Sequence, residues 1–462
     1  MRTTSVDVAD VIDRIPVGQL QIITVVLCGI VAILDGFDNF AIALVAPQMA
    51  HSFNVAVSSF GAVFGVNAFG LMLGALAFGP IADRFGRKPV ILASVFLIGL
   101  FSLLTPFTGS IQVLLAARFL AGLGMGGVMP SIIALTAEYA PKRLRATLVT
   151  VMFAGIPVGA MIAGSVRTQL LGEFAWRNMF YVGGAIPFLL LPVLVAFLPE
   201  SVRYLVARRI APERPLAILR RLDRRTNYPD GIVCTHSEAA GAATPISRLF
   251  QDGRARATLL LWLIFVCNLL VWFFLTNWMP SILQRAHFPV GRAVVATIIL
   301  YGGGLAGGLA LGRMVDRKLS YRTLALAYAA AALCVAGLAF AATPLQPALL
   351  PMIFAAGFFV AGCQYCINAI AAAFYPTDLR STGVGWALGV GRIGSIAGPA
   401  AGGALIGMEW SIGQLFLVAA IPALIAAIAA LLLGRSTARA AADRLALATP
   451  AGRLAQHYGG PA

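Results

Sequence analysis

Two acidic residues stand in the first long apolar run of the chain, residues 20–47. Asp35 and Asp38 are three positions apart, so on a helix they share one face. Two close carboxylates in a medium of low dielectric resist being ionised together, so we expect at least one of them to bind and release a proton. The alternative is a static ion pair with Arg118 that joins two helices, and the two roles can coexist. Glu138, near the end of a later run, is a third candidate for proton binding.

Two arginines also fall inside apolar runs, where charged side chains are costly and usually functional. A guanidinium binds a carboxylate with two parallel hydrogen bonds. We expect Arg392 to contact an anionic ligand and Arg118 to contact the carboxylates of the first run, although the reverse assignment is open.

The aromatic and carboxamide residues of the apolar runs are candidate ligand contacts, because aromatic side chains can bind a flat apolar ring and carboxamides can bind polar groups. For any one aromatic residue, ordinary packing or lipid contact is the commoner role. The candidate contacts in the apolar runs are Trp278, Trp386, Asn268, Gln364 and Asn368.

The elements that carry these residues are long apolar runs. The chain has 462 residues, of which 60% are hydrophobic and 11% charged, whereas soluble domains carry about 25% charged residues. A helix needs about 20 apolar residues to cross the hydrocarbon layer, and lipid forces the backbone to satisfy its own hydrogen bonds. We predict twelve spans: 20–47, 58–80, 89–108, 111–138, 146–168, 178–198, 257–283, 293–312, 323–343, 346–374, 381–407 and 411–434.

The net charge of +16 could suggest nucleic-acid binding, but its distribution indicates membrane topology. Of the 34 Lys and Arg residues, 28 lie in the termini or in loops after even-numbered spans. Because positive residues stay in the cytoplasm, we predict cytoplasmic termini and a multi-pass protein of a bacterial inner membrane.

The chain divides into two similar halves. Both the second and the eighth span end in the pattern G-x-x-x-D-R, at Gly79 to Arg84 and Gly312 to Arg317, which an internal duplication would produce. We predict an all-α membrane fold of two pseudo-symmetric six-helix bundles. The predicted parts are a first bundle 1–198, a cytoplasmic linker loop 199–256, a second bundle 257–434 and a cytoplasmic tail 435–462.

The segment from Gly79 to Lys88, G-P-I-A-D-R-F-G-R-K, resembles the signature loop of the major facilitator superfamily. The R-x-x-x-G-x-G-x-G pattern that begins at Arg118 and the P-E-S-V-R pattern that begins at Pro199 are similar to further motifs of that superfamily. Three segments resemble its aromatic acid:proton symporter family: L-D-G-F-D from Leu34, N-W-M-P from Asn277 and Y-P-T-D-L-R-S-T-G from Tyr375.

The resemblance implies a secondary transporter that imports a benzoate-like acid together with a proton by alternating access. It also implies a cytoplasmic gate formed by Asp83, Arg84, Arg87, Asp316 and Arg380. Other readings are a proton-coupled symporter of a non-aromatic organic acid, or a drug or sugar transporter of the same fold.

An enzyme is not predicted, because the sequence has no nucleophile constellation, phosphate loop or cluster of metal ligands. We therefore expect no cofactor and no metal. The expected partners are an aromatic acid anion, protons and the lipid bilayer, with no nucleic acid, and we expect a monomer.

Overall fold

The computed structural model describes residues 5–169, 176–208, 213–223, 226, 228–229, 232–235, 245–317, 321–342, 347–376 and 379–448, without the side chains at 5, 146, 169, 315–317, 381 and 438–448. Nearly all of this chain is helical. The helices are α1 Val8–Arg14, α2 Gln19–Ser52, α3 Phe60–Phe85, α4 Arg87–Leu104, α5 Ile111–Tyr139, α6 Arg145–Phe153, α7 Gly155–Gln169, α8 Trp176–Phe197, α9 Val202–Ala207, α10 Glu213–Leu222, α11 Ala255–Arg285, α12 Val290–Arg317, α13 Tyr321–Ala341, α14 Leu349–Phe374, α15 Arg380–Gly407 and α16 Ile412–Ala448.

The twelve predicted spans correspond to twelve helical stretches. Within the described residues, eleven stretches are long and apolar enough to cross a membrane, with α6 and α7 counted together. The twelfth is α15, which is 28 residues long but rich in glycine and interrupted by Arg392. The prediction of an all-helical membrane fold is confirmed in its main lines.

Three local features differ from the prediction. The fifth span is broken at Ala154, because Pro157 has no N–H for the carbonyl of Phe153. Helix α16 runs on to Ala448, so the predicted tail 435–462 begins as a helix. Two three-residue strands, β1 Ser5–Asp7 and β2 Val233–Thr235, pair in parallel, an exception to the all-α prediction.

The predicted linker is partly folded onto the first bundle. Leu216 and Leu219 of α10 are buried in one hydrophobic core with Val8 and Ile12 of α1 and with residues of α2, α4 and α5. We call β1, α1, α10 and β2 together the N-terminal cap. At its edge, the ammonium of Lys142 lies 3.0 Å from a carboxylate oxygen of Asp13.

The chain forms two compact units, which are described separately. The first unit comprises residues 1–240, 275–302 and 399–410, and the second comprises 241–274, 303–398 and 411–462. Residues 275–302 belong to the first unit because their side chains pack on α2 and α3. The ring of Trp278 meets that of Phe64, and the ring of Tyr301 meets that of Phe40, in edge-on contacts with centroids 5.3 and 5.2 Å apart.

Each unit contains helix crossings that require glycine. In the first unit, a methyl group at Gly74 of α3 would overlap the Leu123 carbonyl of α5. In the second unit, a methyl group at Gly307 of α12 would overlap the Phe358 carbonyl of α14. Small residues let helix backbones approach closely where lipid supplies no hydrophobic driving force. These crossings fix which face of each helix meets its neighbour.

Candidate functional site

The two carboxylates of α2 are both buried, and Asp38 is held in a network of polar contacts. Asp35 is 4% exposed and Asp38 is 2% exposed. Nη1 of Arg118 on α5 lies 3.0 Å from Oδ2 of Asp38, and the hydroxyl of Ser102 on α4 donates to Oδ1. The expected contact between Arg118 and the acidic residues of α2 is therefore made with Asp38, and it joins three helices.

The guanidinium of Arg118 is fully enclosed. Its Nη2 donates to the Phe101 carbonyl at 3.1 Å and to the Thr105 hydroxyl at 2.6 Å. The ring of Phe180 on α8 lies 5.1 Å from the guanidinium carbon, within range of a cation–π interaction. Because the side chain is 0% exposed and both terminal nitrogens donate hydrogen bonds, Arg118 stabilises the charge of Asp38 within the bundle.

Asp35 has a different set of neighbours. Its backbone carbonyl accepts a hydrogen bond from the Asn39 carboxamide at 3.2 Å. Asp35 also interacts electrostatically with Tyr301 on α12, whose hydroxyl is hydrogen-bonded to Thr276 on α11. The two acids on one helix thus have different neighbours: Asp38 contacts α4 and α5, and Asp35 lies near Tyr301 of α12.

Three carboxamides form a chain in the second unit. Nδ2 of Asn268 on α11 donates to Oε1 of Gln364 on α14 at 2.7 Å, and Nε2 of Gln364 donates to Oδ1 of Asn368 at 3.2 Å. Asn268 is 2% exposed, whereas Gln364 and Asn368 are half-buried. The structure joins these three amide residues, which the sequence analysis singled out as candidate contacts, in one hydrogen-bonded chain.

Arg392 lies on α15, on a segment that packs against α11. Its neighbours Gly391 and Gly394 approach Phe265 and Val266 so closely that a methyl group at Gly394 would overlap the Val266 carbonyl. Arg392 is half-buried, in contrast to the enclosed Arg118.

The two tryptophans proposed as ring contacts differ in their surroundings. Trp278 is fully buried in the first unit, and its indole N–H donates to the Pro399 carbonyl at 2.9 Å. Trp386 is 46% exposed in the second unit and stacks on Trp262 with ring centroids 6.3 Å apart. Tyr365, whose ring would meet a side chain at Gly308, is a half-buried aromatic residue on the same helix as the amides Gln364 and Asn368.

Glu138 lies at the end of α5, where the G-P-I-A-D-R-F-G-R-K segment turns between α3 and α4. It pairs with the guanidinium of Arg87 and accepts a hydrogen bond from the Ser201 hydroxyl at 2.6 Å. Asp83, Arg84 and Arg380 are exposed. The side chain of Asp316 lies outside the part of the chain that the structure describes.

Sequence reasoning missed Glu200 at this turn. Its Oε1 accepts the backbone N–H groups of Arg87 and Lys88 at 2.8 and 3.1 Å, at the start of α4, where a carboxylate complements the helix dipole. A side chain at Gly86, which has a φ of 102°, would collide with this carboxylate. The P-E-S-V-R motif, which contains Glu200, could have indicated this contact. The sequence analysis also missed Ser102 and Thr105, which contact Asp38 and Arg118. Their spacing, two hydroxyl residues three positions apart in one span, could have indicated them.

A model of the Major Facilitator Superfamily matches residues 28–392. The chain belongs to the Major Facilitator Superfamily. The protein is accordingly a multi-pass membrane transporter and not an enzyme. No group of three or more His, Cys, Asp or Glu residues within the described ranges is placed to hold a metal ion.

Curated relatives within the superfamily match along most of the chain. A gallate transporter of Pseudomonas putida is 36% identical and aligns over 94% of this chain and 96% of its own length. The 4-hydroxybenzoate transporter PcaK of Pseudomonas aeruginosa is 35% identical, over 93% and 96%. A benzoate transport protein of Acinetobacter baylyi is 32% identical, over 87% of each chain.

Among solved structures, the chain resembles a bacterial homolog of the human lysosomal transporter Spinster, solved in an inward-facing and unoccupied conformation. The TM-score is 0.67 at 16% sequence identity, with 91% of this chain and 98% of the other chain covered. At that identity the likeness establishes the fold, and it agrees with the two sets of six helices.

Proposed function

We propose that the protein imports an aromatic carboxylate of the benzoate or hydroxybenzoate type by proton symport with alternating access. The relatives that transport gallate, 4-hydroxybenzoate and benzoate support the substrate class, since each aligns over most of both chains. The proposal places the protein in a bacterial inner membrane, as a monomer with both termini in the cytoplasm.

The observation that carries the proton coupling is the pair of buried carboxylates on α2, of which Asp38 is held by Arg118 and Ser102. Protonating Asp38 would break its ion pair with the enclosed guanidinium of Arg118. Asp35 can take up a proton without breaking that ion pair. We therefore assign proton binding to Asp35, with Asp38 as the residue that fixes α2 on α5.

We assign the substrate carboxylate to Arg392. Both terminal nitrogens of Arg118 donate hydrogen bonds, to Asp38, Phe101 and Thr105, and its side chain is fully enclosed. Arg392 is half-buried, and its segment of α15 packs on the stretch of α11 that carries Asn268. A guanidinium and an aromatic carboxylate are complementary in charge and in planar geometry.

The gate is proposed at the turn after α3, with Asp83, Arg84 and Arg87, and at Asp316 and Arg380 of the second half. Glu138 belongs to this region in the proposal, because its partners are Arg87 and Ser201. Its role in proton coupling would then be indirect, through the gate.

The test is uptake of labelled 4-hydroxybenzoate into proteoliposomes under an imposed pH gradient. Wild-type protein should accumulate the acid, and Asp35→Asn should lose accumulation while still exchanging labelled for unlabelled acid without a gradient. Retained exchange separates loss of coupling from loss of folding. As the matched control, Asp10→Asn changes an exposed acid of α1 and should accumulate as wild type does. Full gradient-driven accumulation by Asp35→Asn would refute the assignment.

A further inference from the structure

Asn268 has one buried oxygen that lacks a hydrogen-bond donor among the described residues. Its Nδ2 donates to Gln364, but its Oδ1 is buried and accepts no hydrogen bond from the described residues. Buried carbonyl oxygens are nearly always hydrogen-bonded, because losing water without gaining a donor costs stability. A buried acceptor without a donor in the protein can accept a hydrogen bond from a bound ligand.

A second buried carboxamide shows why the position of Asn268 matters. Asn67 of α3 donates to Asn39 at 3.3 Å, and its Oδ1 also accepts no hydrogen bond from the described residues. That oxygen, however, packs against α5, since a methyl group at Gly122 would lie 3.2 Å from it. Its surroundings are the backbone of a neighbouring helix. Asn268 instead begins an amide chain that leads to the half-buried Gln364 and Asn368.

The amide chain lies on helices that pack together with Arg392. Gly391 and Gly394, on either side of Arg392, meet residues Phe265 and Val266 of α11, less than one helical turn before Asn268. A substituted benzoate holds its carboxylate and a meta or para ring substituent at fixed positions on a rigid ring. The guanidinium of Arg392 on α15 would bind the carboxylate. The open acceptor of Asn268, between α11 and α14, would bind a hydrogen-bond donor on the ring.

We propose that Asn268, together with Gln364 and Asn368, selects aromatic acids that carry a ring hydroxyl, by accepting the hydroxyl proton at Oδ1 of Asn268. A phenolic hydroxyl donates one hydrogen bond and accepts others, so its oxygen can also accept from the amide N–H groups. A ring C–H or C–F cannot donate to Oδ1. This inference rests on the proposed function and narrows its substrate class from benzoates in general to hydroxybenzoates.

The first test needs no variant and uses purified full-length protein in lipid nanodiscs. Binding is measured by calorimetry for benzoate, for 3- and 4-hydroxybenzoate, for 3,4-dihydroxybenzoate, and for 3- and 4-fluorobenzoate. Fluorine is close to a hydroxyl in size but has no proton to donate. The best hydroxylated acid should bind at least about tenfold more tightly than its fluoro analogue, because the buried acceptor stays open with the latter.

The second test replaces the acceptor. Asn268→Leu keeps the approximate volume but removes Oδ1, so the ratio of fluoro to hydroxy dissociation constants should fall to near one, with the affinity for benzoate little changed. Asn67→Leu is the matched control in the first unit and should keep the wild-type ratio.

The outcomes separate the two proposals. If wild-type protein binds hydroxy and fluoro acids equally, or if Asn268→Leu weakens every acid by the same factor, the selection by Asn268 is refuted while transport of aromatic acids stands. If no aromatic acid binds to wild-type protein, the proposed function falls, and this inference with it. Should Asn268→Leu fail to fold, Asn268→Ala takes its place, and equal binding of hydroxy and fluoro acids by wild-type protein would still refute the selection.

Discussion

The two units share their helix crossings and differ in the polar groups buried between the helices. Gly74 brings α3 onto α5 in the first unit, and Gly307 brings α12 onto α14 in the second. Gly36 similarly approaches α7 at Ile156, and Gly394 approaches α11 at Val266. In both halves, therefore, the second span meets the fourth and the first meets the fifth at a glycine, as a duplicated six-helix unit would.

The buried polar groups have diverged. The first unit holds an ion pair, Asp38 with Arg118, and a further acid, Asp35. The second unit holds neutral amides, Asn268 with Gln364 and Asn368. Backbone contacts at glycine constrain the crossing itself, whereas side chains beside the crossing can change with less effect on packing. The comparison shows how one architecture can carry charge in one half and neutral hydrogen bonds in the other.

The sharpest test of this difference is the loss of one buried partner in each unit. Asp38→Leu leaves the guanidinium of Arg118 buried without its counter-ion and should lower the free energy of unfolding by about 3–5 kcal/mol. Asn268→Leu removes a neutral hydrogen bond and should lower it by about 1 kcal/mol. Thermal unfolding of the purified variants measures both.

A double variant provides the control. Asp38→Leu combined with Arg118→Met removes both charges, so it should be more stable than Asp38→Leu alone. Equal losses for Asp38→Leu and Asn268→Leu would contradict the distinction between a charged and a neutral unit.

The second prediction concerns the two arginines. Arg392→Ala should weaken binding of an aromatic acid by about 1.5–3 kcal/mol, the range for hydrogen bonds to charged groups. Arg118→Ala should instead lower Tm strongly, because Asp38 would be left buried alone. Calorimetric affinity and thermal unfolding of both variants separate binding from stability. Unchanged affinity in Arg392→Ala would place the anion contact elsewhere.

The third prediction tests the shared crossings. Gly74→Ala and Gly307→Ala should each lower the free energy of unfolding by about 1–3 kcal/mol, because the added methyl group forces two helices apart. Gly29→Ala in the first unit and Gly389→Ala in the second are the controls, since a methyl group there meets nothing within 4 Å. If only one of Gly74→Ala and Gly307→Ala lowered the free energy of unfolding, the proposed equivalence of the two crossings would be refuted.

The smallest effect is expected in the N-terminal cap, which belongs to the first unit. Burial raises the pKa of Asp13, but hydrogen bonds from Lys142 and the positive charge of that residue outweigh burial and hold the pKa below its usual value. The stabilising contact is therefore fully present above the ordinary carboxyl pKa and is lost as the pH falls through the lowered one.

Because this ion pair is largely exposed, Asp13→Asn should cost about 0–1 kcal/mol. Hydrogen–deuterium exchange at neutral pH should become faster in residues 5–14 of that variant and should stay unchanged in Asp10→Asn. Unchanged exchange in both variants would show that apolar burial of Val8 and Ile12 is sufficient to hold the cap.

Much of the fold could be predicted from local patterns. Twelve apolar runs gave the spans, because crossing a membrane depends on the length and composition of a single segment. The break at Ala154 was also available in principle, since Pro157 cannot complete a helical hydrogen bond. The strands β1 and β2 could not be predicted in this way. A three-residue segment has little β-propensity, and the two strands lie far apart in sequence.

The candidate site shows the same division. The sequence by itself determined that Asp35, Asp38, Arg118 and the amides would lie inside apolar helices, because charged and polar residues in such runs stand out from composition alone. Only the tertiary structure decided that Arg118 pairs with Asp38 and that Asn268 meets Gln364. Those contacts depend on the rotation of each helix about its axis, which is fixed by glycine crossings with partners distant in the chain.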